Sequence, residues 1–235
     1  MEPQSQGLVS AEELAARSAV RIRNESAEYR AARTRLLAEE IRLRRQIEAV
    51  AEMRRALPPG GLVQGDYRFV GEEGETALEG LFGDKQTLMV YSYMFGPERA
   101  RPCPMCTLNL GALDQNALDI EQNIALAVVA RSPIERLLEV KAERGWRGLK
   151  LYSDVTGDYS RDYLGWEPGV GENGVTNVFT RQDGAIRHFW MGEMTDAVAD
   201  PGQDPRDQPE IAPLWNVLDQ TLEGRKPDWY PKLRY

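Results

Sequence analysis

The sequence predicts an α/β protein: a three-layer fold around a mixed central sheet, preceded by a long N-terminal helical arm. Three observations carry this. Strand-length apolar runs alternate with segments of helical periodicity between Thr87 and Arg144. Late in the chain, Gln182-Asp183-Gly184 separates two alternating stretches and spells a hairpin. Ahead of both, residues 11–57 hold neither proline nor glycine and are dominated by Ala, Arg, Glu and Leu. The expected division is a helical extension over residues 1–57 and a domain over 58–235.

Within the extension, Ser10-Ala-Glu-Glu13 reads as a capping box, with the serine bonding the Glu13 amide and the Glu13 side chain reaching back. A break is expected near Asn24-Glu25-Ser26. Leu36, Leu43, Val50 and Leu57 recur seven apart, with Ile47 between them, while Glu40 and Arg54 interrupt the second register. This predicts a dimerisation arm rather than a long coiled coil, and a homodimer.

Pro58-Pro-Gly-Gly61 ends the arm. Tyr67–Val70 and Thr76–Phe82 flank a Gly-Glu-Glu-Gly turn and read as a hairpin with a one-turn helix. Thr87–Phe95 is a strand, Thr107–Leu118 a helix, and Ile124–Ala130 a continuous apolar run suited to the middle of a covered sheet. Ser132-Pro133 starts a helix, with the proline at its first position, which Gly145 ends near Arg144. Leu149–Tyr152 is a short strand and Asp158–Leu164 a short helix. Val175–Thr180 and Ala185–Trp190 form the Asp-Gly hairpin. A polar loop over 199–210, a helix from Pro213 to Glu223 and an aromatic tail close the chain. The order β-α-β-α-β, short helix, hairpin, helix is the thioredoxin topology with one inserted strand and helix.

At 235 residues the chain can bury a substantial core. With 28% charged residues and a formal net charge of -8, nucleic acid and anionic membrane surfaces are not expected partners. No basic segment precedes an apolar stretch at the N-terminus, and no run approaches the ~18 apolar residues of a membrane helix. The expected location is the cytoplasm.

The chemistry concentrates in Cys103-Pro104-Met105-Cys106, which contains both cysteines of the chain. The pair follows a strand and opens a helix. A cysteine there faces unpaired N–H groups and the positive end of the helix dipole, both of which favour thiolate. The second cysteine lies one turn on, placed to attack a mixed disulfide on the first. Other uses of the pair stay open. A structural disulfide closing so short a loop constrains the unfolded chain little. A zinc site or iron–sulfur cluster lacks two ligands, since the chain has one histidine, His188, so a shared site between subunits would be required. No metal or cofactor is expected.

Tyr91–Pro97 leading into Cys103–Cys106, Gly145-Trp146, Asp158–Tyr163, Pro213–Arg225 and Trp229–Leu233 resemble a bacterial thioredoxin-like family, domain of unknown function 899. The family is AhpC/TSA-like and is regarded as dithiol-disulfide oxidoreductases. The resemblance spans about residues 31–235. It implies a thioredoxin-like fold and thiol-disulfide exchange through Cys103 and Cys106, without supplying a substrate. Two departures from better-known relatives bear on the substrate. Thioredoxins place a cis-proline opposite the dithiol, whereas the stretch here is Gly174-Val175-Thr176, which is expected to be trans because a non-proline cis bond costs ~2.5–4 kcal/mol. Peroxiredoxins carry Pro and Thr or Ser at fixed positions before the reactive cysteine, where this chain has Gly96 and Ala100.

The leading expectation is a thiol-disulfide oxidoreductase, with Cys103 attacking and Cys106 resolving, acting on a small disulfide or thiol in preference to a protein. Tyr93, Arg99, Arg101, Pro104, Tyr163, Val175 and Thr176 are candidate pocket residues, with Arg99 and Arg101 adding positive charge near Cys103. The alternatives are a non-catalytic metal- or ligand-binding protein and a small-molecule tailoring enzyme, both on the same fold.

Overall fold

The computed structural model describes residues 7–192, 213–222 and 229–235. The chain divides into two compact units, Met1–Pro58 and Pro59–Tyr235.

In the first unit, α1 (Ala11–Ala16) is capped by Ser10, whose Oγ accepts the Glu13 N–H at 3.1 Å. The return half of the capping box is not made. The Glu13 carboxylate pairs with Arg17 at 2.5 Å instead. The helix also ends earlier than the expected break, because short-range side-chain bonds compete with it over residues 17–26. Glu25 accepts the Ile22 N–H at 3.1 Å and pairs with Arg30, and Asn24 turns to φ +61°. Ser26 then caps α2 (Ala27–Arg55) through the Tyr29 N–H at 3.0 Å. Ala11 and Ala15 pack on Ala38 and Ile41. Leu36, Leu43 and Ile47 remain 52%, 61% and 61% exposed, and Leu57 falls past the helix end.

The second unit is built on an eight-stranded mixed sheet. Its strands are β1 (Gly61–Leu62), β2 (Arg68–Gly71), β3 (Gly74–Ala77), β4 (Thr87–Ser92), β5 (Ala125–Ala130), β6 (Leu151–Ser153), β9 (Thr176–Gln182) and β10 (Ala185–Met191). Their spatial order is β1-β10-β9-β4-β5-β6-β2-β3. The run β4, β5, β6 is parallel and every other pairing is antiparallel. The central quartet β5-β4-β9-β10 is one β-α-β crossover joined by a hairpin laid antiparallel on the other side of β4. That is the thioredoxin-like arrangement, with β6 added beyond β5. A separate two-stranded ribbon, β7 (Trp166–Glu167) with β8 (Gly171–Glu172), was not legible in the sequence.

Two helices, α3 (Pro104–Ile120) and α4 (Ile134–Arg144), cover one face of the sheet, where Leu110, Ala117, Leu137 and Val140 meet Tyr91, Leu126 and Val128. The opposite face buries Phe69, Phe82, Leu88, Val90, Val129 and Phe179 beneath a 3-10 turn (Leu78–Phe82) and Tyr159 of α5 (Asp158–Asp162). All six residues of β5 are buried, as expected of a strand covered on both sides.

Several boundaries shift for identifiable reasons. Pro133 is the N-cap of α4 rather than its first residue, and Ser132 turns its hydroxyl to the Gly96 carbonyl at 3.2 Å. The strand expected from Leu149 begins at Leu151. Asp114 Oδ1 accepts the N–H groups of Arg147, Gly148 and Leu149 at 2.8, 2.8 and 3.1 Å, holding them as a loop. The short helix α5 stops at Asp162, not Leu164. Asp183 and Gly184 both take positive φ (+51° and +76°), as a two-residue type I′ loop requires. The helix α6 (Pro213–Leu218) ends before Glu223, which lies outside the described residues together with the polar loop 199–210.

Candidate active site

The site lies where β4 runs out over α3. The Tyr93 N–H bonds the Val129 carbonyl at 2.8 Å, which extends the β4–β5 ladder by one residue. Beyond it the loop is held by the chain around α4. The Ser132 N–H bonds the Phe95 carbonyl at 3.0 Å, and Arg136 donates to the Arg99 carbonyl at 2.5 Å while stacking over the Phe95 ring. The Cys103 N–H closes the loop on the Met94 carbonyl at 3.1 Å. Cys103 thereby becomes the N-cap of α3, with Pro104 in the first turn, where a missing N–H removes a donor that had no helical partner.

The two free cysteines occupy different environments. Cys103 is half-buried and Cys106 is 3% exposed. The Cys103 sulfur accepts the Cys106 thiol and the backbone N–H groups of Cys106 and Met105, and Arg99 adds positive charge. Together these outweigh burial and lower its pKa to about 6. Cys106 moves the opposite way, well above its usual range, because its proton is held by Cys103 and its sulfur is enclosed. The two sulfurs are therefore unequal, Cys103 favouring the thiolate and the enclosed Cys106 the thiol.

The wall opposite Cys106 is backbone. A Cβ placed on Gly174 would stand 2.9 Å from Cys106 Sγ, 3.5 Å from Tyr91 Oη and 3.6 Å from Met94 Sδ. Val175 is 4% exposed and its carbonyl accepts the Ser92 N–H at 2.8 Å, while Thr176 is buried in register with Tyr91. Among the described residues no peptide bond is cis.

The remaining candidates separate into two groups. Tyr93 lies with the dithiol. Its hydroxyl bonds Thr107 Oγ1 at 2.7 Å, Thr107 in turn donates to the Cys103 carbonyl at 2.8 Å, and burial raises the tyrosine's pKa. Arg99 also lies there, paired at 2.5 Å with Glu172 of β8. Arg101 does not act on Cys103. Its guanidinium is engaged by Glu143 at 2.9 Å, a carboxylate it shares with Arg234. Tyr163 does not line the dithiol pocket either. It follows α5, which covers the opposite face of the sheet, and its ring packs on Tyr159, Phe179 and His188. His188 belongs to that second cluster, with Nε2 2.8 Å from Asn177 Oδ1 and its pKa lowered by burial.

Tyr91, Asn109 and Glu172 were missed by the sequence reading, whereas Gly174 lies in the stretch expected opposite the dithiol. Tyr91 had a signal, since it stands two residues before Tyr93 on one strand and so shares its face. Among the described residues no group of three or more His, Cys, Asp or Glu converges as a metal site. A cleft of about 780 Å³ lies between β2–β3, the 3-10 turn and the C-terminal end of α3, but neither cysteine lines it. No described helix is long and apolar enough to cross a membrane.

A family model described as a bacterial protein of unknown function (DUF899) matches residues 19–235. No curated protein matches the chain. Among solved structures, the chain is similar to peroxiredoxin Q of Xanthomonas campestris, with 15% identity over 56% of this chain and 84% of that one, at a TM-score of 0.45. It is also similar to peroxidoxin BcpB of Mycobacterium tuberculosis, with 16% identity over 55% and 82% of the two chains and a TM-score of 0.41. A third is AhpC of Enterococcus faecalis, with 12% identity over 60% and 82% and a TM-score of 0.42.

Proposed function

The chain belongs to the DUF899 family of bacterial proteins of unknown function, and we propose that it is a thiol–disulfide oxidoreductase acting through Cys103 and Cys106. The observation that carries this reading is the polarisation of the pair, with a thiolate-favouring Cys103 at a helix N-terminus and a protonated, enclosed Cys106 one turn behind. The Cys103 thiolate attacks one sulfur of a disulfide, forming a mixed disulfide and expelling the first thiolate. Cys106 loses its proton and attacks Cys103 Sγ, which expels the second. The enzyme dithiol is oxidised by two electrons and the substrate disulfide is reduced by two; the reverse sequence oxidises a dithiol.

The enclosed Val175 and the close approach of Gly174 favour a small disulfide or thiol over a polypeptide, because the Val175 carbonyl is already committed to Ser92. The test is turnover of a small aromatic disulfide and of insulin by the wild type, Cys103→Ser and Cys106→Ser. Activity on the small disulfide that disappears in both variants supports the reading. Equal handling of insulin removes the preference for small substrates, and activity that survives both substitutions defeats the dithiol mechanism.

A further inference from the structure

Cys106 must ionise inside the protein to resolve a mixed disulfide, and burial opposes that step. Its sulfur is nevertheless surrounded by donors. The Tyr91 hydroxyl and the Met94 N–H face it and both work against the rise in its pKa, and Cys106 Sγ and Tyr91 Oη lie 2.9 and 3.5 Å from one point beside Gly174. Tyr91 is 1% exposed, on the strand directly beneath the dithiol. Asn109 Nδ2 donates to Tyr91 Oη at 3.4 Å, so a lone pair of the phenol is occupied and its proton is left to be given away. Thiol and phenol converge where a Cβ on Gly174 would stand, and both are enclosed, Cys106 at 3% and Tyr91 at 1% exposure.

From this arrangement we infer that Tyr91 is a catalytic residue of the resolving step, donating its hydroxyl proton in a hydrogen bond to the Cys106 sulfur as that sulfur becomes a thiolate, with Asn109 positioning the phenol. The inference rests on the dithiol mechanism proposed above. The proton that leaves Cys106 goes to the departing thiolate or to solvent, not to Tyr91. The tyrosine remains protonated throughout, since burial and the neighbouring sulfurs raise its own pKa. As the Cys106–Cys103 bond forms, negative charge passes from Cys106 to the leaving thiolate and the hydrogen bond from Tyr91 relaxes. The bond lowers the cost of ionising Cys106, and its weakening during attack takes back only part of that gain, because the attacking sulfur still carries negative charge in the transition state.

A chromogenic aryl disulfide that releases one coloured thiolate on attack and a second on resolution separates the two steps in stopped flow. In the full-length wild type both releases are expected, and in Cys106→Ser only the first. Tyr91→Phe keeps the ring in the core, and its effect is read as the second release rate relative to the first within the same protein. It should slow the second roughly tenfold on that measure, the effect of losing one hydrogen bond to a charged group. The pH midpoint of the second release should also rise. Asn109→Leu should give a smaller shift in the same direction. A second release in Tyr91→Phe at the wild-type rate relative to the first, and at the wild-type midpoint, overturns the role of Tyr91 and leaves the dithiol mechanism standing. A Cys106→Ser variant that still gives both releases overturns the mechanism and this inference with it.

Discussion

Glu172 and Arg99 form a 2.5 Å ion pair whose carboxylate side chain is 9% exposed while the guanidinium is 38% exposed. The ribbon β7–β8 is thereby tied to the loop that delivers Cys103, and the same arginine supplies positive charge to the Cys103 sulfur. Arg99 influences that sulfur less than the Cys106 thiol, which is the largest influence on it. Thiolate absorbance followed against pH should therefore give a midpoint at about 6 in the wild type. Cys106→Ala should raise it clearly, and Arg99→Gln by less than about one unit. A larger shift from Arg99→Gln than from Cys106→Ala would reverse the assigned order of influences.

Gly174 leaves no room for a side chain against the dithiol. Gly174→Ala forces a Cβ to within 2.9 Å of Cys106 Sγ and should cost about 1–3 kcal/mol of stability through overpacking. Thermal unfolding of the reduced protein measures the cost, and limiting iodoacetamide followed by peptide mass measures the reactivity. Cys103 should be labelled first in both proteins. Unchanged stability in the variant would mean that the strand end moves aside freely.

The lowered pKa of Cys103 has a signed effect on stability. The ionised sulfur is favoured in the fold, so its contribution is complete above the ordinary thiol value of about 9 and is lost as pH falls through about 6. Cys106 acts in the opposite sense only where an unfolded thiol would ionise, toward and above about 9. Between about 6 and about 8, the stability advantage of reduced wild type over Cys103→Ser should increase with pH in denaturant titrations. A flat difference would mean that the thiolate is not held by the helix terminus.

The stripe of Leu36, Leu43 and Ile47 on α2 is exposed at seven- and four-residue spacing, on residues distinct from those packing against α1. We expect a second copy of the chain to cover it. Light scattering should give a dimer for the wild type and a monomer for Leu43→Lys combined with Ile47→Lys, with the helical circular dichroism signal retained. A wild-type monomer would remove the dimer.

How far the sequence reached depended on the range of each interaction. The helix around Cys103–Cys106, the buried run of β5, the Asp183-Gly184 turn and the stop at Gly145 were all legible, because each is set by residues within a few positions of one another: an apolar period, a turn dipeptide, a left-handed cap. The same locality made the cysteine pair stand out as the chemical centre. Tertiary structure decided which of the candidate residues reach it and which further residues join them. Tyr163 and Arg101 have the right chemistry, but α5 covers the far face of the sheet and Glu143 holds the guanidinium, so neither reaches the sulfurs. Tyr91, Gly174 and Glu172 come from three separate segments. They meet at the dithiol because β9 pairs antiparallel to β4 and the β7–β8 ribbon folds back to Arg99. Pairing across such sequence separations is fixed by how the faces of the sheet are buried, and no local pattern of residues encodes it.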